Sequence, residues 1–198
     1  RTKGLAVETN LDPVLQDSLE NNLQKTKLQL IKKYGSRLEG LEGAAIVVDI
    51  SSGEVKAVAG STEPSSYGFN RSINAIRPIG SLVKPFIYLT ALDQYSDYNL
   101  TTLLDDSKLS LMSGGKLWEP DNFDKKFHGE IPLHVALWQS YNIASARLGL
   151  DVGYEAVENM FLNLGITKDV PNYPSLFIGS FELSPYPVSY THLTLPTT

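Results

Sequence analysis

The sequence predicts a mixed α/β domain, on three observations. Two β-rich runs, 44–50 and 55–60, flank the short turn Ser51-Ser52-Gly53, the pattern of an antiparallel hairpin. Apolar residues recur at helical spacing over 13–34, 81–93, 131–150 and 154–164. Hydrophobic residues make up 42% and charged residues 20% of the 198 positions, enough apolar matter for one core-forming domain or one domain with a stub. The expected architecture is an antiparallel sheet begun by the hairpin and packed by the 81–93 helix, with a helical subdomain over 96–165.

Each element has a local reason. Asp12 before Pro13 reads as an N-cap followed by a proline at the first helical position, and Gly35 as the stop. This first helix carries only a narrow apolar stripe (Val14, Leu15, Leu19, Leu23, Leu30, Ile31), so it is expected to act as a linker or to pack on another domain. The run 44–50 is nearly all apolar, which predicts a strand buried on both faces. Residues 61–80 are rich in Ser, Asn, Gly and Pro and read as loop. Ser113-Gly114-Gly115 marks a tight turn, the 131–150 helix is broken around 139–142, and Gly165 ends the helix that begins at Tyr154.

Charge and composition exclude some partners. A net charge of −5 and the lack of any Lys/Arg run argue against a nucleic-acid surface. Cysteine is absent, which fits an oxidising compartment without requiring one. His128 and His134 are expected at the surface or core edge, because no His/Asp/Glu cluster at ligand spacing accompanies them; neither a metal nor a cofactor is expected.

The stretch Arg77-Pro-Ile-Gly-Ser-Leu-Val-Lys-Pro-Phe86 organises the chemistry. Pro85 is comfortable only in the first turn of a helix, so a helix through Leu82, Phe86, Leu89 and Leu92 starts close to Gly80. Ser81 then lies at the helix N-terminus, where unpaired N–H groups favour developing negative charge. Lys84, three residues on, reaches the same face and can take the Ser81 proton if burial keeps it neutral. A second constellation is Ser140-Tyr141-Asn142, a short polar loop between apolar Leu137-Trp138 and Ile143-Ala144. Ser140 can relay a proton and the Asn142 amide can grip a carbonyl. The same residues also suit a plain helix break with Ser140 or Asn142 as N-cap. Trp118 and Asn122 are candidates to line a cleft beside them, although a tryptophan also suits core or rim packing.

S-x-x-K followed by S-x-N gives two of the three parts of the signature of penicillin-binding proteins and class A β-lactamases. With Tyr141 in the middle, the second motif resembles the penicillin-binding proteins more. Gly68-Phe-Asn-Arg71, the 77–86 stretch, Tyr88-Leu-Thr-Ala-Leu92, Trp118-Glu-Pro-Asp-Asn122 and Ser140-Tyr-Asn142 stand in the order and approximate spacing of the transpeptidase domain of class A, bifunctional penicillin-binding proteins. The form Ile-Gly-Ser-Leu-Val-Lys-Pro resembles the Gram-negative 1B branch, and the resemblance covers roughly 43–186. It implies a penicillin-binding-protein/β-lactamase-like fold, incomplete at the C-terminus. It further implies a D,D-transpeptidase: Ser81 attacks a D-Ala-D-Ala carbonyl of a peptidoglycan stem peptide, Lys84 takes its proton, Ser140 relays it, and Asn142 holds the peptide. Gly80, Tyr141, Trp118 and Asn122 would contribute to substrate binding, and the Ser81 N–H to the oxyanion hole. β-Lactams would acylate Ser81. The parent protein would be membrane-anchored upstream, at the periplasmic face of the inner membrane.

The chain departs from that family in three ways. No K-T-G follows the S-x-N motif, so the strand carrying it and half the oxyanion hole are expected to be missing, a loss of about 10²–10³ in rate or more. No counterpart of the glycosyltransferase domain is present. Residues 187–198, Pro-Val-Ser-Tyr-Thr-His-Leu-Thr-Leu-Pro-Thr-Thr, match one reading frame of a transposase-type sequencing adapter and are expected to be a non-native tail that packs poorly. The expected organisation is therefore an inter-domain linker over 1–42, the N-terminal part of a transpeptidase domain over 43–186, and the tail. A β-lactamase or D,D-carboxypeptidase would use the same acyl-enzyme with water as acceptor, and a non-catalytic penicillin sensor would keep the fold without turnover. Uninterrupted genomic sequence encoding 191–198 would refute the adapter origin of the tail.

Overall fold

The structure, a computed structural model, describes residue 4 and residues 6–63, 68–93 and 96–189. It divides into two compact units, one formed by the chain up to Ile76 together with the chain from Leu183 onward, the other by Arg77–Glu182.

In the first unit, helix α1 (Pro13–Tyr34) begins as its sequence dictates. The Asp12 carboxylate accepts the N–H groups of Val14 at 2.8 Å and Leu15 at 3.1 Å. Gly35, at φ 89°, closes the other end. The helix is more than a linker, because it packs on strand β2 (Val55–Ala59). Gln16 satisfies both backbone groups of Val58: its Nε2 donates to the carbonyl and its Oε1 accepts the N–H, each at 2.9 Å. The Asp12 N–H donates to Lys56 O at 2.8 Å. One side chain and one cap residue thus cover a strand edge that would otherwise be open to pairing.

Strand β1 (Ala45–Val48) pairs antiparallel with β2, with Ala45 opposite Ala59 and a register irregularity between Val47 and Val48. All four β1 residues are half-buried, not buried on both faces; in the hairpin only Ala57 and Ala59 are buried. The physical reason is that, among the described residues, β1 and β2 form a two-stranded sheet whose faces are covered only where helices pack on it. Helix α2 (Arg71–Asn74), capped by the Asn70 side chain, interrupts what reads as loop. Its Ser72 hydroxyl ties both strands through Ala59 O at 2.6 Å and Ala45 O at 3.2 Å. Pro187–Ser189, expected to pack poorly, lie half-buried in a short helix (Pro185–Ser189) against α2 and β1. The rest of the expected tail, 190–198, lies outside the described residues.

In the second unit, strand β3 (Arg77–Pro78) leads through a 3-10 turn, Gly80–Val83, into helix α3 (Lys84–Asp93). The turn and helix together begin at Gly80, as Pro85 predicts. The buried face differs from the Leu82, Phe86, Leu89, Leu92 stripe. Leu82 is 57% exposed, whereas Val83, Lys84, Phe86, Ile87, Tyr88, Thr90 and Ala91 are buried. A helix enclosed nearly all round needs no single stripe.

Strands β4 (Leu103–Asp105) and β7 (Glu130–Pro132) pair antiparallel, as do β5 (Leu111–Ser113) and β6 (Lys116–Trp118) around Gly114-Gly115. Helices α4 (Leu133–Trp138), α5 (Asn142–Val152) and α6 (Tyr154–Asn163) follow. Helices α5 and α6 and the 3-10 segment Pro174–Ile178 enclose α3. Phe161 bridges Phe86 and Phe181, with ring centroids 4.8 and 5.3 Å apart. The Phe177 ring lies so close to α5 that a Cβ on Gly149 would sit 2.3 Å from it. Gly149→Ala is expected to destabilise the chain by about 2 kcal/mol through overpacking, read as a lower urea midpoint with unchanged slope.

Candidate active site

The turn carrying Ser81 is held from behind by backbone. The Ile79 N–H donates to Phe181 O at 2.8 Å and the Gly80 N–H to Gly179 O at 3.0 Å. Gly179, at φ 91°, lies so near that a Cβ there would be 2.0 Å from Gly80 O, so only glycine permits the contact. Ser81 itself is exposed, and among the described residues its N–H finds no backbone acceptor. This is the orphan donor that a helix start leaves for an anion.

Lys84, in contrast, is buried, 1% exposed. Its Nζ donates to three acceptors of one loop: the Ser140 carbonyl, Ser140 Oγ at 3.0 Å and Asn142 Oδ1 at 2.7 Å. Burial lowers its pKa from the usual lysine value to about 8, against a partial opposing pull from the Asp106 carboxylate. Ser140 and Asn142 therefore meet Lys84 directly. No hydrogen bond links Lys84 to Ser81 among the described residues.

The Ser140-Tyr141-Asn142 loop has a specific backbone form. The Ser140 N–H donates to Leu137 O and the Tyr141 N–H to Ala136 O, each at 3.0 Å. These are the two bonds of a Schellman motif ending α4, and Ser140 holds the left-handed position at φ 57° that glycine usually fills. Neither Ser140 nor Asn142 is an N-cap; Tyr141 stands at that position of α5 and gives no side-chain cap. The missing caps come from elsewhere. Asn122 Oδ1 accepts the N–H groups of Asn142 at 2.7 Å and Ile143 at 3.3 Å, and Asp106 Oδ1 accepts that of Ala144 at 3.0 Å.

Asn122, expected to line the cleft, is 2% exposed. Its Nδ2 donates to Asp106 Oδ2 at 2.6 Å and to Lys126 O at 2.9 Å, so with Oδ1 doubly engaged its amide has no position left for a ligand. Trp118 sits half-buried in β6 opposite Leu111 and hydrogen-bonds to none of these groups among the described residues. Tyr141 stacks on His128, ring centroids 4.0 Å apart, and its carbonyl accepts the Ser145 hydroxyl at 2.6 Å. Ser145 Oγ is in turn 3.0 Å from the buried Tyr88 hydroxyl, a second tie between α3 and α5.

Two residues of this cluster, Asp106 and His128, have roles that no sequence motif marks. Asp106 is fully buried, and His128 Nδ1–H donates to its Oδ2 at 2.7 Å while Nε2 lies 3.1 Å from Asp124 Oδ2. The one available signal is alternation. Leu103 is out and Leu104 in, which carries Asp105 out and Asp106 in at the end of β4. His134, exposed, meets Leu100 O at 2.8 Å. Among the described residues no His/Cys/Asp/Glu group could hold a metal ion.

A serine at a helix start, a buried lysine of lowered pKa one turn on, and a Ser-x-Asn turn clasping that lysine thus stand together in the second unit. The family model of the penicillin binding protein transpeptidase domain matches residues 43–176, and the chain belongs to that family. Its relatives include penicillin-binding protein 1B of Vibrio cholerae, 45% identical over 97% of this chain and 25% of that protein. Penicillin-binding protein 1B of Escherichia coli is 37% identical over 97% of this chain and 23% of its own length. Among solved structures, penicillin-binding protein 1A from Haemophilus influenzae superposes with a TM-score of 0.69 at 28% identity, over 74% of this chain and 22% of that one. The chain thus spans about a quarter of the length of the curated relatives it matches.

Ser140→Gly and Ser140→Ala both remove the hydroxyl, so they isolate the backbone contribution. The glycine variant is expected to be more stable than the alanine variant by about 1 kcal/mol, measured by chemical denaturation, because alanine keeps the left-handed penalty.

Proposed function

We propose that this chain is part of a peptidoglycan D,D-transpeptidase acting through a Ser81 acyl-enzyme. The observation that carries the reading is the Lys84 amine: buried, with its pKa brought to about 8, three residues after Ser81 and bonded to Ser140 and Asn142. In the reaction, Ser81 Oγ attacks the carbonyl carbon of the penultimate D-Ala of a stem peptide, and its proton passes to neutral Lys84. The C–N bond breaks, the terminal D-Ala leaves as the free amine with a proton delivered through Ser140, and an ester remains on Ser81. The amine of a second stem peptide then attacks that ester, restores the Ser81 hydroxyl and forms the cross-link. A β-lactam acylates the same oxygen and stays.

The hydrogen bonds to Lys84 fit this traffic. An ammonium has three N–H groups and here has three acceptors. When the amine is neutral it keeps two donors and a lone pair, and Ser140 Oγ is the one partner able to turn from acceptor to donor. The Ser140 contact is therefore the route by which a proton leaves Lys84. Asn142 donates through Nδ2 to Asp121 O at 2.8 Å, which fixes the side of its amide that faces Lys84.

The parent protein acts at the periplasmic face of the inner membrane and is anchored upstream of this segment, with a glycosyltransferase domain as a further part. Among the described residues no helix is long and apolar enough to cross a membrane. With no K-T-G in the sequence, the chain alone has half an oxyanion hole and is inactive or nearly so.

Labelling with a fluorescent penicillin tests the reading. A full-length protein carrying this segment and the K-T-G strand should label at Ser81, identified by peptide mass mapping, while Ser81→Ala should not label and the 198-residue chain should label at least about 10²-fold more slowly. Label at another residue, or undiminished label in Ser81→Ala, refutes it. The acylation rate should rise about tenfold per pH unit below 8 and level off above it, because the neutral amine, not the ammonium, accepts the proton. Lys84→Ala should slow acylation by about 10²–10⁴ and remove that limb.

A further inference from the structure

We propose that the buried carboxylate of Asp106, acting with Asn122 and His128, is the positioning group that fixes the Ser140-Tyr141-Asn142 turn against Lys84. The inference deepens the reading of Lys84 as proton acceptor and rests on it.

The problem this cluster solves is geometric. The turn bears a serine in a left-handed backbone conformation, which favours relaxation away from the observed form. It is followed at once by a helix whose own cap residue, Tyr141, contributes no oxygen. Left alone, the N–H groups of Asn142, Ile143 and Ala144 would be unsatisfied next to the core, and the helix start would fray. Asp106 and Asn122 accept all three. Asn122 is itself oriented by Asp106, since donation from Nδ2 to the carboxylate turns its Oδ1 toward α5. A carboxylate at a helix N-terminus also lies at the favourable end of the dipole.

The cluster is braced on every side. The Asp106 N–H donates to Gly129 O at 2.7 Å. His128 donates to Asp106 Oδ2 and covers Tyr141 with its ring, so one side chain joins the carboxylate to the middle residue of the turn. Arg147, on the next turns of α5, donates to the carbonyls of Ser107 and Lys108 and holds the chain just after Asp106. Among the described residues Asp106 makes no hydrogen bond to Lys84; it acts on the amine through the turn and through its field. The ionisable groups around the pair are His128 and Asp124 before β7, Arg147 on α5 with Asp105 beside it, and Tyr88 on α3, whose hydroxyl burial pushes up to about 12.

The test uses the 198-residue chain itself and needs no turnover. Asp106→Asn keeps the size but loses the charge, and its amide NH₂ faces groups that donate to the carboxylate. Amide exchange at Asn142, Ile143 and Ala144 is expected to accelerate about tenfold or more relative to that of the α6 amides. In the same variant the Lys84 amine, followed by NMR of its Cε, should titrate at lower pH than in the parent, because a neighbouring negative charge that favoured the ammonium is gone. Asp105→Asn, at the exposed neighbour, should leave exchange at those three amides unchanged. If Asp106→Asn does not fold, His128→Gln, which removes one arm, should still accelerate exchange there about threefold. Unchanged exchange at the three amides in whichever variant folds overturns the inference, whatever the penicillin label does. A full-length protein that fails to label at Ser81, together with accelerated exchange here, overturns the transpeptidase reading and leaves the positioning role standing.

Discussion

The second unit depends on one enclosed amine. Lys84 carries a charge-bearing group to a position with almost no solvent contact, and a buried ammonium without partners is costly by several kcal/mol. Its three hydrogen bonds all go to a single turn, so the amine and the turn are stable only together. The same burial that demands the partners lowers the pKa to about 8, which brings the neutral amine within reach near physiological pH. The burial that demands these contacts and the lowered pKa go together.

Around that pair the protein builds two rigid supports from different parts of the chain. Behind Ser81, Gly179 presses on Gly80 at a distance no side chain would allow, and Phe181 takes the Ile79 N–H. Behind Ser140, Asp106 and Asn122 cap a helix that cannot cap itself. The first support is made of backbone groups and the second of side-chain oxygens, while Phe86, Phe161 and Phe181 make consecutive ring contacts in the core around α3. Ser140 can therefore sit in a conformation it would not choose, because its neighbours over-determine it.

Motifs with local physical causes are legible in the chain. Asp12-Pro13 and Gly35 mark both ends of α1, the Gly80 start of the α3 turn follows from Pro85, and the break at 139–142 shows between two apolar runs. Three features are not legible. The linker-like α1 covers β2 because Gln16 can mimic a strand, a use that its narrow stripe does not betray. The 44–50 strand reads as doubly buried from its apolar residues, but burial depends on what lies over each face. Asn122 stands close to the Ser140 turn, yet it supports that turn from behind instead of lining a cleft. A polar residue beside a cleft and a polar residue behind it look alike in sequence.

By itself the sequence singled out Ser81, Lys84, Ser140 and Asn142 as candidates, because S-x-x-K and S-x-N each set particular residue types at a short spacing beside a helix start. Only the tertiary structure decided which groups hold them. Asp106, Asn122 and His128 make contacts that span 16, 22 and 20 residues of chain, and their role is set by distances of about 3 Å across the fold, which no local pattern encodes.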